Sequence, residues 1–593
     1  MPRLLLLCLL LTWAWPASAL RLAVLSEAGF PHNALGDAKA LSATEIGQYL
    51  DRFGDVSVLN YDEASRPDLL SPDLFDVFVV PYGGNYPLYL LPNLLHFCER
   101  GGDLILAEGA PFSIPYEVRG GAWMPVTVSR HDMGGMYYEE MRLQDFRDFG
   151  LFAYRVPPQL RLLEYGELRI SESYDGYLVG AHTSDRLHQD TQVARNFPLL
   201  TARDKYGEVS GSAATLVRHF AGQFQDSTWI VLGGYGKTSP LHPAFKDRDQ
   251  FWAQTLTCLD YPAFVPAAFD LPGYLPGERA SCQLKVRSSA TAYVEARLRL
   301  SLVAEDGTEL TSSLVTGIGE QALRLAPRAT ATFVASFTVP DLTNQFITLI
   351  ATLSDLSGQE LDTCEVACWV LGKTPEGPEL SITSPFFELD KRPRQVFGIN
   401  YSGPVDGAHL GLASFNLASY KHDLEHFRQA GVPVISLFSH RYDAGQSADD
   451  LRNLRLDLAR MAAAKREGLL VKFITLDKQV IWSGEGYQSW LLDSSFLTRQ
   501  GDVLAGYASQ WRNVLFDVTS EAYLVQRESA LLRGAFQDWL ADHYTNPTEA
   551  VERWGLAQES APTSFAGLPV PDPAVSLMGD NWCLNLATVL TLL

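Results

Sequence analysis

Trp511-Arg512-Asn513-Val514-Leu515-Phe516-Asp517-Val518-Thr519-Ser520-Glu521-Ala522-Tyr523 is the stretch whose reading decides the fold of the second half of the chain. Val514 to Val518 is apolar apart from Asp517, the pattern of a short strand in a parallel sheet covered on both faces. It runs out into a carboxylate flanked by small and aromatic residues. A Glu at the carboxyl end of such a strand stands where (β/α)8 barrels carry their chemistry, so Glu521 is the candidate catalytic acid. The competing reading is an ordinary strand followed by a solvated Glu.

Upstream, the same pattern repeats. Val396 to Tyr401 reads as a strand, Tyr420 to Gln429 as a helix, and Val432 to Phe438 as a second strand followed by Ser439-His440-Arg441-Tyr442. Leu451 to Arg466 is an amphipathic helix and Leu469 to Leu476 a third strand, with Trp482 in the loop after it. Downstream come Phe536-Gln537-Asp538-Trp539-Leu540-Ala541-Asp542-His543-Tyr544 and Glu552-Arg553-Trp554-Gly555.

Together these runs, over roughly residues 380 to 556, resemble the first four strand-helix units of retaining glycoside hydrolases of the (β/α)8 clan that includes families 2, 5, 35 and 42. The resemblance implies that Glu521 is the general acid/base. Where those families place Asn before that Glu this chain has Ser520, which reaches less far toward a sugar 2-hydroxyl. The resemblance also implies substrate-binding roles for Ser520, Asn400, Tyr401, Arg441, Trp482 and Tyr523. Trp482 reads equally as a ring packed into its own loop. In the clan the nucleophile lies on the seventh strand. Leu556 to Leu593 is far too short for four more strand-helix pairs, so the expectation is the N-terminal part of a TIM barrel, hydrolytically inert as it stands.

At 593 residues the chain exceeds one core, and three domains of ordinary size fit it. A formal charge of −22 with pI near 5.0 argues against nucleic acid or an anionic membrane surface as partner, and is compatible with a neutral oligo- or polysaccharide. Arg3, the apolar run Leu4 to Leu11 and Ala17-Ser18-Ala19 read as a signal peptide over residues 1–19, so a secreted or periplasmic protein is expected, without membrane insertion once the signal is removed. That run is too short for a stop-transfer helix, and the small residues that would precede a lipidated Cys8 are absent.

Residues 20–264 open with alternating strands and helices: Leu22 to Leu25, Ala43 to Phe53, Val56 to Leu59, Phe75 to Gly84, Leu90 to Arg100 and Gly101 to Gly109. This implies a flavodoxin-type parallel sheet. The segment resembles the class I glutamine-amidotransferase fold, which also serves as the trimerisation domain of family 42 β-galactosidases, and so implies a homo-oligomer formed through this domain. Ala107-Glu108-Gly109-Ala110-Pro111 has no thiol where amidotransferases carry their nucleophile, which excludes that amidase chemistry. Glu108 could instead bind something, but a surface or turn carboxylate is the favoured reading. Leu232-Gly233-Gly234-Tyr235-Gly236-Lys237 is not a phosphate loop, because Pro240 breaks the helix that such a loop needs.

After Leu271 to Glu278 strands take over. Val294 to Leu302 alternates apolar and polar residues, Asp306-Gly307 supplies a turn, and Ala331 to Val339 and Phe346 to Leu353 repeat the pattern. Residues 265–375 are therefore read as an immunoglobulin-like β-sandwich, used for spacing or for glycan binding, and residues 380–593 as the barrel part. A bridge from Cys282 to Cys364 or Cys368 and buried free thiols are both open readings. No His or Cys spacing implies a metal, and no organic cofactor is implied.

The fold class expected is thus α/β multidomain, and the function a secreted, retaining glycosidase. A non-catalytic secreted carbohydrate-binding or assembly module is the alternative, favoured by Ser520. Because Ala17 and Ala19 occupy the small-residue positions read by signal peptidase, the mature chain is expected to begin at or near Leu20. N-terminal sequencing of exported protein checks this, and recovery of an intact Met1 to Ala19 segment on the folded product would refute it.

Overall fold

The computed structural model describes residues 20–32, 41–112, 114–126, 151–155, 159–165, 168–174, 176–181, 193–203, 209–290, 292–310, 315–316, 319–383, 386–389, 391–394, 398–401, 416–438, 450–474, 511–517, 530–553 and 562–568. The signal segment therefore lies outside the described residues. The chain is a mixed α/β protein with several sheets and parallel strands.

The first sheet has nine strands. Its parallel half comprises β1 (Leu20–Leu25), β2 (Gly54–Leu59), β3 (Val77–Val80) and β4 (Asp103–Leu106). Its antiparallel half comprises β5 (Gln159–Tyr165), β6 (Leu168–Tyr174), β7 (Val193–Arg203) and β8 (Val209–Ala221), and β9 (Thr228–Leu232) joins the two halves. The order is β6-β5-β7-β8-β9-β4-β3-β1-β2, with β9 parallel to β4 and antiparallel to β8. Val77 to Val79 are fully buried, as a strand covered on both faces requires.

Helix α1 (Ala43–Leu50) starts on a capping box in which Ser42 and Glu45 satisfy each other's backbone N–H groups. It packs on one face together with α3 (Arg248–Thr257), through Ile46, Leu50, Phe251 and Trp252. Helix α2 (Leu91–Glu99) covers the opposite face through Leu94, Phe97 and Cys98. Helix α3 begins only at Arg248, because Leu241 to Lys246 is taken up by turns around Ser239 and His242. The long antiparallel strands between 159 and 221 are absent from the sequence reading; no described helix lies between them, so they do not show the alternation on which that reading rests.

The next unit is two sheets packed face to face. One contains β10 (Ala263–Phe264), β12 (Arg279–Arg287), β14 (Val315–Thr316) and β16 (Thr330–Thr338), and the other β11 (Gly273–Tyr274), β13 (Val294–Ala304), β15 (Gly319–Leu325), β17 (Phe346–Ser354) and β18 (Glu360–Val370). In β13 the expected alternation holds: Ala296, Leu298, Leu300 and Leu302 lie in the shared core while Glu295, Arg297 and Arg299 face water. Gly307 supplies the turn with φ 83°. Cys282, Cys364 and Cys368 are free thiols in this core, so of the two readings the unbridged one describes the molecule. Burial pushes the Cys282 thiol up to about 12 and that of Cys364 to about 11, which leaves both as inert apolar filling.

A three-stranded antiparallel sheet over Leu380–Thr383, Phe386–Leu389 and Arg392–Arg394 leads into the last sheet. That sheet consists of β19 (Gly398–Tyr401), β20 (Val434–Phe438), β21 (Leu470–Ile474) and β22 (Val514–Asp517), all parallel and adjacent in sequence order. Helices α4 (Leu417–Gln429) and α5 (Asp450–Arg466) pack on it, and α6 (Ala530–His543) and α7 (Pro547–Arg553) form a small cluster of their own around Phe536, Leu540 and Val551.

Arginine clamps join the units. Arg195 on β7 grips Asp362 on β18 bidentately at 2.7 and 2.9 Å, and Asp362 also accepts the Phe264 N–H at 2.8 Å. Arg466 at the end of α5 does the same to Glu305 at 2.5 and 2.7 Å, with its guanidinium 4.9 Å from the Trp369 ring.

Breaking a fully buried pair from one side typically costs roughly 3–5 kcal/mol, because the remaining charge stays desolvated. Asp362 is 7% exposed, but Arg195 keeps some solvent contact, so Arg195→Met is expected to cost about 2 to 3 kcal/mol in denaturant unfolding. Arg297→Met, which removes the solvent-exposed contact to Glu320 at 3.6 Å, should change stability by less than about 0.5 kcal/mol. Equal effects of the two substitutions would contradict this description of the interface.

Candidate functional site

The four-stranded parallel sheet sorts its residues by row. Tyr401, Leu437, Phe473 and Phe516 are in register across the sheet, as are Ile399, Ile435, Val471 and Val514. Both rows belong to one apolar core with Leu417, Ala418, Tyr420 and Leu424 of α4 and Leu456, Ala459 and Ala463 of α5. Both helices thus lie on the same face. In a doubly wound sheet the strand order reverses at a switch point and the helices beyond it cover the other face; among the described strands and helices neither happens. Singly wound, sequential parallel strands are how a (β/α) barrel begins, with the uncovered face turned toward the axis.

The row between the two apolar ones is Asn400, Ser436, Lys472 and Leu515. Ser436 is buried at 6% exposure on the face opposite the helices. Two polar residues, Ser436 and Lys472, adjacent on a face otherwise built of Val434, Leu470 and Ile474, set it apart from the helix-covered one, which is apolar throughout.

Each expected site residue has a definite standing. Ser520, Glu521, Tyr523, Arg441 and Trp482 lie outside the described residues. Asp517, the last residue of β22, brings the chain to within four positions of Glu521 at the carboxyl ends of the strands. Asn400 occupies its expected strand, although its side chain is outside the description. Tyr401 is in the helix-facing row. Its ring packs 5.4 Å from Tyr420 and 5.6 Å from Phe427, and its hydroxyl donates to Asp423 at 2.5 Å. Burial and the adjacent Asp423 hold the Tyr401 phenol well above the usual range. That is a packing position beneath α4, away from the face that Ser436 lines. Residue type alone could not show this; the row parity that does only appears once the register is known.

The first sheet supplies a cluster that the sequence reading passed over. Glu108 is not a surface carboxylate: it is 3% exposed, with φ 61°, immediately after β4. Its Oε2 stands 3.4 Å from His32 Nε2. Burial of Glu108 follows from Gly109, whose φ of 81° and lack of a side chain let the Tyr235 hydroxyl lie against its Cα, where a Cβ would come within 2.0 Å of that oxygen. The Glu-Gly pair was in the sequence, but a strained turn folded back under Tyr235 was not legible there. Among the described residues no group of three or more His, Cys, Asp or Glu has the arrangement of a metal site.

No protein-family model matches the chain, and no curated protein does. Among solved structures, a Bacteroides uniformis β-glucuronidase is 15% identical over 47% of this chain, at a TM-score of 0.22. β-Glucuronidase 2 of the same organism is 12% identical over 66% of this chain, at 0.23. The chain spans only 32% and 50% of the lengths of these two proteins. A CARDB domain from Pyrococcus furiosus is 12% identical and is matched over 96% of its own length by 19% of this chain, at 0.14. At these identities and TM-scores the neighbours assign no family.

The position of Tyr401 yields a direct expectation. A buried hydroxyl bonded to a carboxylate contributes roughly 1.5–3 kcal/mol where a partner is left unsatisfied on its loss. Tyr401→Phe should therefore lower the unfolding free energy by about 1 to 2 kcal/mol, read from the denaturant midpoint. An unchanged midpoint would contradict the placement of Tyr401 beneath α4.

Proposed function

We propose that residues 398–521 form the acid/base half of a retaining glycoside-hydrolase barrel, with Glu521 as the general acid/base. The observation that carries the reading is the single winding of the last sheet. Four parallel strands in sequence order, with both helices on one face, leave the carboxyl ends of the strands as the rim on which a site would be built. Glu521 comes four residues after the last residue of the fourth strand in the sequence, and the resemblance of the surrounding sequence to the clan suggests its role. The five parallel strands of the first sheet, in the order β2-β1-β3-β4-β9, support the amidotransferase-like reading of residues 20–264, and the two packed sheets support an immunoglobulin-like sandwich over residues 265–375.

In the reaction that this reading implies, Glu521 in its acid form protonates the departing glycosidic oxygen while a second carboxylate, about 5–5.5 Å away, attacks the anomeric carbon. Glu521 then takes a proton from the water that releases the sugar with retained configuration. The second carboxylate would be supplied by a later strand of the barrel. Ser520 would stand beside the sugar where the clan has Asn, giving a shorter hydrogen-bonding arm.

General acid catalysis typically contributes about 10²- to 10⁴-fold, so in protein with a complete barrel Glu521→Gln should lower turnover of glycosides with poor leaving groups by about that factor. Activated aryl glycosides need little protonation, and their glycosylation step should be much less affected. Azide should rescue the second step and give a glycosyl azide of retained configuration. Unchanged turnover of both substrate types would refute the role of Glu521, and binding of glycans without any turnover by the parent protein would favour a non-catalytic module.

A further inference from the structure

The first sheet has a crevice of its own. Reading the parallel strands outward, β2, β1, β3, β4 and β9, the chain leaves β1 toward one edge and returns to the other side of it at β3. Open parallel sheets bind ligands beyond the carboxyl ends of the strands at such a switch point. Here that region holds Glu27 after β1, Tyr82 to Asn85 after β3, and Glu108 after β4, with Tyr235 from the turn after β9 against Gly109.

Contacts bring these segments together. Gly83 N–H donates to Ala107 O at 3.2 Å, and Asn85 Nδ2 donates to Pro31 O at 2.9 Å. His32, the next residue, faces Glu108 at 3.4 Å. The Tyr82 hydroxyl oxygen accepts the Glu27 backbone N–H at 2.6 Å, and burial pushes that phenol up to about 12. Glu27 itself is engaged, accepting the Tyr61 N–H at 2.9 Å.

What remains is one-sided. Glu108 Oε1 and Asn85 Oδ1 are buried with no hydrogen-bond partner, and their residues are 3% and 2% exposed. Donation from Asn85 Nδ2 to Pro31 O fixes which end of the amide is oxygen. Both nitrogens of His32 are likewise unpartnered, since the approach to Glu108 lacks hydrogen-bond geometry. The His32 side chain is 16% exposed. Two buried acceptors, one of them a carboxylate, call for a ligand rich in donors and positive in charge. A buried carboxylate without a cation is far costlier than a buried amide, so charge as well as hydrogen bonding must be supplied. A primary ammonium has three donors and no acceptor, and matches both needs.

We propose that Glu108, Asn85 and His32 form a binding site for the ammonium group of a small amine, separate from the last sheet. Glu108 Oε1 and Asn85 Oδ1 accept from the ammonium, and the His32 ring stands against Glu108 at 3.4 Å. Glu108 is held in the left-handed region at φ 61°, a conformation unfavourable for a residue of its type, and gains no compensating bond at Oε1 in the unliganded protein. A carboxylate placed this way serves a ligand at the expense of the fold.

The test compares ethanolamine with ethylene glycol, which differ by one ammonium, using calorimetry and the imidazole resonances of His32. Ethanolamine should bind, shift the His32 resonances and raise Tm, whereas ethylene glycol should do none of these. Glu108→Gln should weaken ethanolamine binding at least about tenfold, as expected for loss of a charged hydrogen bond, with Tm of the unliganded protein equal to or above that of the parent. Equal binding of the two probes, no ethanolamine binding at millimolar concentration, or displacement of the His32 shift by magnesium alone would overturn the proposal. A Tm of Glu108→Gln below that of the parent would also overturn it, because it would show the carboxylate to be structural. Glu521→Gln should leave ethanolamine binding unchanged, which separates this site from the glycosidase reading.

Discussion

Burial of one face of the last parallel sheet under α4 and α5 is the constraint on which the functional reading rests. Ile399, Tyr401, Ile435, Leu437, Val471, Phe473, Val514 and Phe516 all share the core with those helices. Side chains alternate along a strand, so committing these residues to the helices commits their neighbours, Ser436 among them, to the other face. A one-residue slip in any strand would exchange the two sets. The same helices reach the sandwich: Trp369, Leu371 and Phe346 belong to the core that contains Leu456 and Met461, and Arg466, its guanidinium over the Trp369 ring, closes it by holding Glu305. The sandwich therefore packs against both helices.

Much of the fold was legible in the sequence because its signals are local. The period-two run in Val294 to Leu302, the all-apolar Val77 to Val80 and the strand-helix alternation from Leu20 to Leu106 each state their own structure. The antiparallel strands β5 to β8 were not legible, since pairing such as that of Phe197 with Leu216 depends on partners distant in sequence. Tyr401 shows the same limit at the candidate site: an aromatic residue at the end of an expected barrel strand is a natural sugar contact until the register places it beside Tyr420.

Glu108 is the opposite case. Its environment is made by Gly109, Tyr235 and His32, residues up to 203 positions apart in the chain whose meeting only the sheet topology ensures. A Glu after a strand reads as solvated on average, and nothing in Ala107 to Pro111 says otherwise. The two carboxylates thus separate by evidence: the role proposed for Glu521 rests on sequence resemblance and strand winding, that proposed for Glu108 on unsatisfied buried atoms.

The central claim is that Glu521 acts as a general acid, and a general acid at neutral pH needs a carboxyl that holds its proton well above the ordinary glutamate value of about 4.3. Infrared or 13C titration of the Glu521 carboxyl, assigned by difference against Glu521→Gln, measures this directly. The account predicts a midpoint raised toward neutrality by burial at the strand end and by a neighbouring carboxylate. A midpoint at or below about 4.3 would contradict it, because such a carboxyl is ionised at working pH and has no proton to give.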